Sequence, residues 1–550
     1  MGFAIIYLVE QVISDLVKQL FDVETTVVLT RPEPQFGDLA TNIALQLAGK
    51  LQRKPREIAE QIAVKLRENE DFTGVEVAGP GFINIFLSDA ALLSLAHKNP
   101  SRDRDGKNVV IETNNPNPFK AMHIGHAMNA IVADTVANLL ALDGAGVARV
   151  SYHGDVGLHV GKSMYSILKY INHDIKNLEK ISADERNGFM SRMYADGSKA
   201  YKNSPEAKEE IDRLAAESFA PNDGLFREVY EMCLEWSWRQ IESTVARLGN
   251  QPTVARFLES LADTRGTMIV KDHTPGVFEM SDGAHIFRGS EHGSFDNVFI
   301  ASNGRGLYAA RDLGLMQLKN DLFHPDQSYI VTGSEQGAYF RGVIAAAELC
   351  DPSLKGQTYN IPTGLVKLTT GKMSSRNGDI VEISWLFDQF AEAIRARGGE
   401  PDDVIIAGAL RYQFLKVKIG GDIIFDIADA VSLTGNTGSY LQYAYVRATH
   451  ILAKASEKPQ ILEEIATEDR ALVRKLSEFS EIIDLAKAKL EPHHICNYLF
   501  DLAQEFNRYY EKNQVVGNEH EAHRVSLVAM YADTLKAGLS ALGITAPDKM

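Results

Sequence analysis

The chain has 550 residues, 45% of them hydrophobic and 24% charged, and a formal net charge of -16. This is ordinary globular composition over a length that outgrows a single hydrophobic core, so a disordered chain is excluded and three or more domains are expected. The cysteines, Cys233, Cys350 and Cys496, are scattered without any C-x-x-C pairing, which argues against a disulfide framework and a structural zinc site and fits a reducing, cytoplasmic setting.

The opening run "FAIIYLV" lacks a basic flank and a cleavage signature, is too short to span a bilayer, and continues as an amphipathic helix; no membrane association is expected. Net acidity counts against a nucleic-acid partner but does not forbid one, because large enzymes bind RNA through local basic patches. One such patch is Lys50, Arg53, Lys54 and Arg56, with Pro55 placed to open a helix; a solvated helix start explains it equally well. Residues 1–100 then close with an alternating run in which Val75, Val77, Phe82 and Ile85 read as a small sheet bounded by Gly-Pro-Gly, giving an α+β domain.

From residue 107 the texture changes. "KNVVIET" reads as a buried strand, the following helix carries Met128, Ile131, Val132, Val136 and Leu139 on one face before Gly144 ends it, and "VARVSY" is a second strand. Strand, helix and strand make a βαβ unit, hence a parallel sheet. Residues 163–245 are charged and helical and look like an insertion. "VFIAS", "SYIVTG" and "TGLVKL" supply further strands for the second half of the sheet, and from about residue 401 the pattern is helical to the end. No internal repeat or low-complexity tract is evident.

Two loops carry the chemistry. In "NPNPFKAMHIGH", residues 115–126, His123 and His126 flank Gly125 just before a helix N-terminus, where imidazole donors stabilise charge on a phosphoryl group. An H-x-x-H of this kind also caps helices. In "GKMSSRNG", residues 371–378, a glycine-flanked loop offers Lys372, Ser374, Ser375 and Arg376 to a polyphosphate, although alone it would pass for a surface turn.

Together, H-I-G-H after the first strand and K-M-S-S-R after a late one resemble the paired signatures of class I aminoacyl-tRNA synthetases. The likeness sharpens to the arginyl-tRNA synthetase family: "FGDLATNIALQLAGK" and "VAGPGFINIFL" resemble its N-terminal domain, "YAARD" and "GSEQGAYF" its later catalytic motifs, and "GNTGSYLQYAYVR" its anticodon-binding domain. The resemblance implies an α/β, Rossmann-like parallel-sheet catalytic domain over 101–400, an N-terminal domain over 1–100 and an all-helical domain over 401–550. It implies ATP, accompanied by Mg2+, L-arginine and tRNA(Arg) as substrates, with no DNA partner and a monomeric state.

By the same resemblance His123, His126, Lys120 and Lys372 are the catalytic candidates. Gly125, His126, Lys372, Ser374 and Ser375 are assigned to ATP. Arginine takes Glu112 and Asp312 for the guanidinium, with Asn115, Asn117, Tyr308 and Gln336 around the rest; a guanidinium offers donors only, so carboxylates and amide or phenol oxygens suit it. The chain departs from the general signature, K-M-S-K-S, with Ser375 in place of its second lysine, and Lys120 stands where the family carries a substitute. Asn115 replaces a more usual serine, and Tyr339 a frequent histidine. For tRNA the candidates are Lys50, Arg53, Lys54, Arg56, Tyr440, Tyr443, Tyr445 and Arg447, although aromatic residues at helical spacing are more often core; at least one of Tyr440 and Tyr443 is expected to be buried. Two rivals stay open: a nucleotidylyltransferase, which would not need tRNA, and a non-catalytic RNA-binding relative, which would not keep the histidine motif.

Overall fold

The computed structural model describes residues 5–369 and 381–550, and the chain divides into two compact units. One unit joins Met1–Ser101 with Ala444–Ala488 and Asn497–Gly538; the other joins Arg102–Tyr443 with Lys489–Cys496 and Leu539–Met550. The helical region expected as one block over 401–550 is thus shared between them.

In the first unit, Pro55 opens the helix Pro55–Leu66, since the missing N–H has no intrahelical partner at that position anyway. Phe82–Leu87 lies between Leu39–Thr41 and Phe72–Ala78 in an antiparallel sheet, with Val75 opposite Ile85 and both buried. Ile83, Ile85 and Leu87 take the inner face and Phe82 is 41% exposed, since alternate residues of a strand point oppositely. Asp38 explains why segments so far apart in sequence share one unit. Its buried carboxylate accepts hydrogen bonds from the Leu87 N–H (2.8 Å) and from Arg470 (2.8 Å) on the helix Arg470–Leu476, with Arg474 3.4 Å away.

The second unit is built on five parallel strands: β1 (Asn108–Glu112), β2 (Gly146–His153), β3 (Ala255–Leu258), β4 (Gln327–Gly333) and β5 (Thr358–Thr363). Their order is β5-β4-β1-β2-β3, so the direction of winding reverses between β1 and β4. Ligands of open parallel sheets bind at the carboxyl ends of the strands at such a reversal. Around the sheet lie α1 (Ile124–Leu142), α2 (Glu259–Asp272), α3 (Tyr308–Phe323), α4 (Gly337–Cys350) and α5 (Ile383–Ala396). The five apolar positions read on α1 are all buried, and Gly144 ends the turn after it at φ +98°.

Two strands sit elsewhere than the sequence indicates. "VFIAS" contributes Asn297–Ile300 to a separate antiparallel sheet with Glu279–Ser281 and Ala284–Phe287. "TGLVKL" contributes Val366–Leu368, which pairs with Ile423–Phe425, while the edge of the parallel sheet is the unforeseen β5, "TYNIPT". The chain leaves the sheet at Gly364, which packs so closely on Gly421 that a Cβ would lie 2.2 Å from its carbonyl oxygen. Close backbone approach of this kind admits only glycine.

The insertion forms the helices Leu158–Tyr170, Arg186–Asn203, Pro205–Glu217 and Leu225–Arg247 around a core of its own. Phe119, from the histidine loop, is buried in that core at φ +63°, a conformation an aromatic residue keeps only when its surroundings enforce it. Its N–H donates to Ser237 Oγ (3.1 Å) and its carbonyl accepts from Ser163 Oγ (2.8 Å). The insertion therefore sets the position of the residue next to Lys120.

Candidate active site

His123 and His126 make a reciprocal cap on α1. The His126 N–H donates to His123 Nδ1 (3.4 Å), the His123 N–H donates to His126 Nδ1 (3.3 Å), and the rings stack with centroids 3.6 Å apart. A Cβ at Gly125 would stand 3.2 Å from the His123 ring, so glycine at this position leaves room for that ring. Because each Nδ1 accepts from a backbone N–H, each neutral ring carries its proton on Nε2. Burial and the Lys120 charge push His123 down to about 4, and burial and His123 push His126 well below its ordinary value. Both are neutral donors at pH 7.

Burial lowers the Lys120 ammonium, Glu259 opposes that shift and Lys162 adds to it. His159, on the first insertion helix, donates from Nε2 to the Gly154 carbonyl (2.7 Å); burial and Lys120 bring it down to about 4. Lys120 thus stands among three imidazoles that remain neutral.

Beside β1 and β2 lie three carboxylates, Glu112, Glu259 and Asp312. Glu112 accepts from Lys319 Nζ (2.6 Å) through one oxygen and from Asn115 Nδ2 (2.7 Å) through the other. Asn115 Oδ1 in turn accepts the Tyr152 N–H (2.8 Å), and Asn117 Oδ1 accepts the Gly154 N–H (3.1 Å). Arg311 pairs with Glu259 (3.1 Å) and Asp263 (3.1 Å). Asp312 has a hydrogen bond from the Tyr339 hydroxyl (2.6 Å) and no cation in ion-pair contact among the described residues. Burial, together with Glu112 and Glu259, outweighs Tyr339 and Lys319 and pushes its carboxyl up to about 7. The Tyr152 hydroxyl is buried without a partner, and the charges bearing on it are Asp312, Glu259, Arg311 and Glu112.

Tyr308 opens α3 four residues before Asp312 and is 70% exposed; Gln336 is exposed in the turn after β4. Lys372, Ser374, Ser375 and Arg376 lie outside the described residues. The chain just beyond them returns to the histidine loop: the Ile124 N–H donates to the Val381 carbonyl (2.9 Å) and the Ile383 N–H to the Met122 carbonyl (3.1 Å). Tyr152, Glu259, Arg311, Lys319 and His159 were not foreseen. Only Lys319 leaves a trace in the sequence, as a lysine three and four residues after Met316 and Leu315 on the buried face of α3.

Of the RNA candidates, Lys50, Lys54 and Arg56 are exposed, Arg53 is half-buried, and no carboxylate is within ion-pair distance of them among the described residues. Tyr440 is buried and Tyr443 is 40% exposed, so the expectation for that pair holds. Tyr445 is half-buried, and Arg447 stacks 4.6 Å from the Tyr510 ring. Glu491, His493 and His494 converge within 4.8 Å, but Lys418 lies 2.9 Å from Glu491 and the histidines begin a helix, both unfavourable to a cation. No helix among the described residues is long and apolar enough to cross a membrane.

Three family models cover the chain: the arginyl tRNA synthetase N-terminal domain over 4–87, the class I (R) tRNA synthetase catalytic domain over 89–427, and the DALR anticodon binding domain over 441–550. Among curated relatives, the arginine--tRNA ligase of Clostridium perfringens is 26% identical, covering 98% of this chain and all of that protein. That of Methanothermobacter thermautotrophicus is 29% identical over 94% of each. Thermus thermophilus arginyl-tRNA synthetase shares the fold with a TM-score of 0.80 at 23% identity, covering 99% of this chain and 100% of its own. The Plasmodium falciparum enzyme does so with a TM-score of 0.79 at 19% identity, covering 100% and 99%. With the catalytic-domain model alone spanning more than half of its length, the chain belongs to the arginine-type class I tRNA synthetases, as an arginine--tRNA ligase.

Proposed function

We propose that the crevice between β1 and β4 activates L-arginine with ATP and passes it to the 2'-hydroxyl of the terminal adenosine of tRNA(Arg). An arginine carboxylate oxygen attacks the α-phosphorus, the bond to the β-phosphate oxygen breaks, and pyrophosphate leaves; the ribose oxygen then displaces AMP from the carbonyl carbon. Neither step uses a covalent enzyme nucleophile. Catalysis comes from positioning and from donors aimed at the developing phosphate charge. The Nε2–H groups of His123 and His126 and the Lys120 ammonium supply these donors, with Lys372, Ser374 and Ser375 as further candidates. Mg2+ enters with the ATP phosphates, and no side chain here is assigned to hold it.

The observation that carries the specificity is Asp312. Of the three carboxylates at the site it alone has no cation in contact among the described residues, so an incoming guanidinium completes it, with Tyr152 and Tyr308 alongside. Glu112, whose oxygens are both engaged, passes from ligand to support: it orients Asn115, which holds the Tyr152 backbone. Asn117 and Gln336 remain for the α-amino and carboxylate groups. The basic residues near Pro55, and Tyr443, are surfaces for tRNA. The protein acts in the cytoplasm as a monomer.

Charging total tRNA with each radiolabelled amino acid in turn tests this reading: arginine alone is attached, and His126→Ala lowers the rate by about 10²–10³-fold through loss of one donor and of the cap on α1. Attachment of another amino acid, or full activity in the variant, overturns it. The pH dependence is a second test. Arginine binds the ionised Asp312 carboxylate, which in the free protein titrates at about 7, so KM for arginine is flat above that pH and rises about tenfold per unit below it. A KM constant between pH 5.5 and 8 would remove Asp312 from the binding site.

A further inference from the structure

A cavity of about 320 Å³ lies behind the histidine loop and is used by none of the steps above. Its walls include Arg186, Arg239 and Arg247, the Trp236 ring, and Ala121–Met122, which join Lys120 to His123. No carboxylate is among its lining residues, in a chain with 73 acidic ones. Arg247 already holds Asp403 through two bonds (2.8 and 3.0 Å) and Arg239 holds Glu235 (2.9 Å). Arg186 holds nothing of that kind: its guanidinium stacks 4.5 Å from Trp236, it has no ion pair among the described residues, and its Nε is buried without an acceptor. A guanidinium fork with free donors in a carboxylate-free cavity matches the geometry and charge of a phosphate.

We infer that this cavity receives a phosphate group on Arg186 and, resting on the reading that tRNA is the substrate, that the group is a phosphodiester of the tRNA strand that delivers the reacting ribose. A narrow adjoining cavity shares Ala121, Met122, Met190, Gln240 and Thr244 with it and reaches Lys120. Ile383, Ser384 and Phe387 of α5 form the facing wall, and the Ile383 N–H is bonded to the Met122 carbonyl. A phosphate seated here therefore touches the insertion and the chain that follows "GKMSSRNG" together, and holds both against the loop carrying Lys120.

Steady-state kinetics of Arg186→Met and Arg186→Lys test the inference. Arg186→Met raises KM for tRNA about tenfold and lowers the slope of log KM against log salt by about one, leaving KM for ATP and arginine and the thermal midpoint unchanged; Arg186→Lys recovers the salt slope. An unchanged KM for tRNA with about tenfold weaker product inhibition by pyrophosphate supports a phosphate cavity but overturns tRNA as its occupant. If neither quantity moves in the folded variant, the inference is wrong. Quenching of Trp236 fluorescence by inorganic pyrophosphate, lost in Arg186→Met and in Trp236→Phe, reads the cavity without turnover. A wild-type protein that shows this quenching and charges no arginine sinks the proposed function alone.

Discussion

Lys319→Met destabilises the second unit by about 3–5 kcal/mol, because it leaves the Glu112 carboxylate buried without its cation. Both side chains are almost wholly inaccessible, and the ion pair of 2.6 Å joins residues 207 positions apart. The double variant Glu112→Gln with Lys319→Met recovers most of the loss, since a buried pair removed together leaves no orphan charge. All three tryptophans, Trp236, Trp238 and Trp385, lie in the second unit, so urea unfolding followed by their fluorescence reports it directly. Equal midpoints for Lys319→Met and the wild type would show that Glu112 is neutralised by another route.

Asp312→Asn lowers kcat/KM for arginine by about 10²–10³-fold, equivalent to about 3–4 kcal/mol, as expected for removing one partner of a desolvated charge pair. Stability moves the other way. The Asp312 carboxyl titrates at about 7 in the folded protein against an ordinary 3.8, so its ionisation opposes folding. That opposition is complete above pH 7 and disappears as the pH falls through about 4. The asparagine variant is therefore at least as stable as the wild type at pH 8, with the difference vanishing in acid. A variant that loses stability and activity together at pH 8 would mean that Asp312 is a structural residue and that the guanidinium binds elsewhere.

Position along the chain separates what could be read early from what could not. The histidine loop was legible because its geometry is local: His126 follows His123 by three positions, and a helix start brings them together in any fold. The βαβ unit was legible for the same reason, since its apolar periodicities repeat within each element. The displacement of "TGLVKL" to a second sheet was not, because it depends on Gly364 meeting Gly421 across the fold. Nor was the engagement of Glu112: a lone carboxylate at a strand end gives no sign of a lysine on a distant helix.

The sequence by itself determined the parallel α/β class, the capped helix carrying His123 and His126, the signature loop and the family. All of these rest on periodicity, capping and motif order within short segments. Only the tertiary structure decided which carboxylate is available to a cation, that the Tyr152 hydroxyl is left unpartnered beside it, and that Arg186 faces a cavity without acids. Those outcomes depend on which charges long-range packing brings together and removes from water, a balance that no single segment contains.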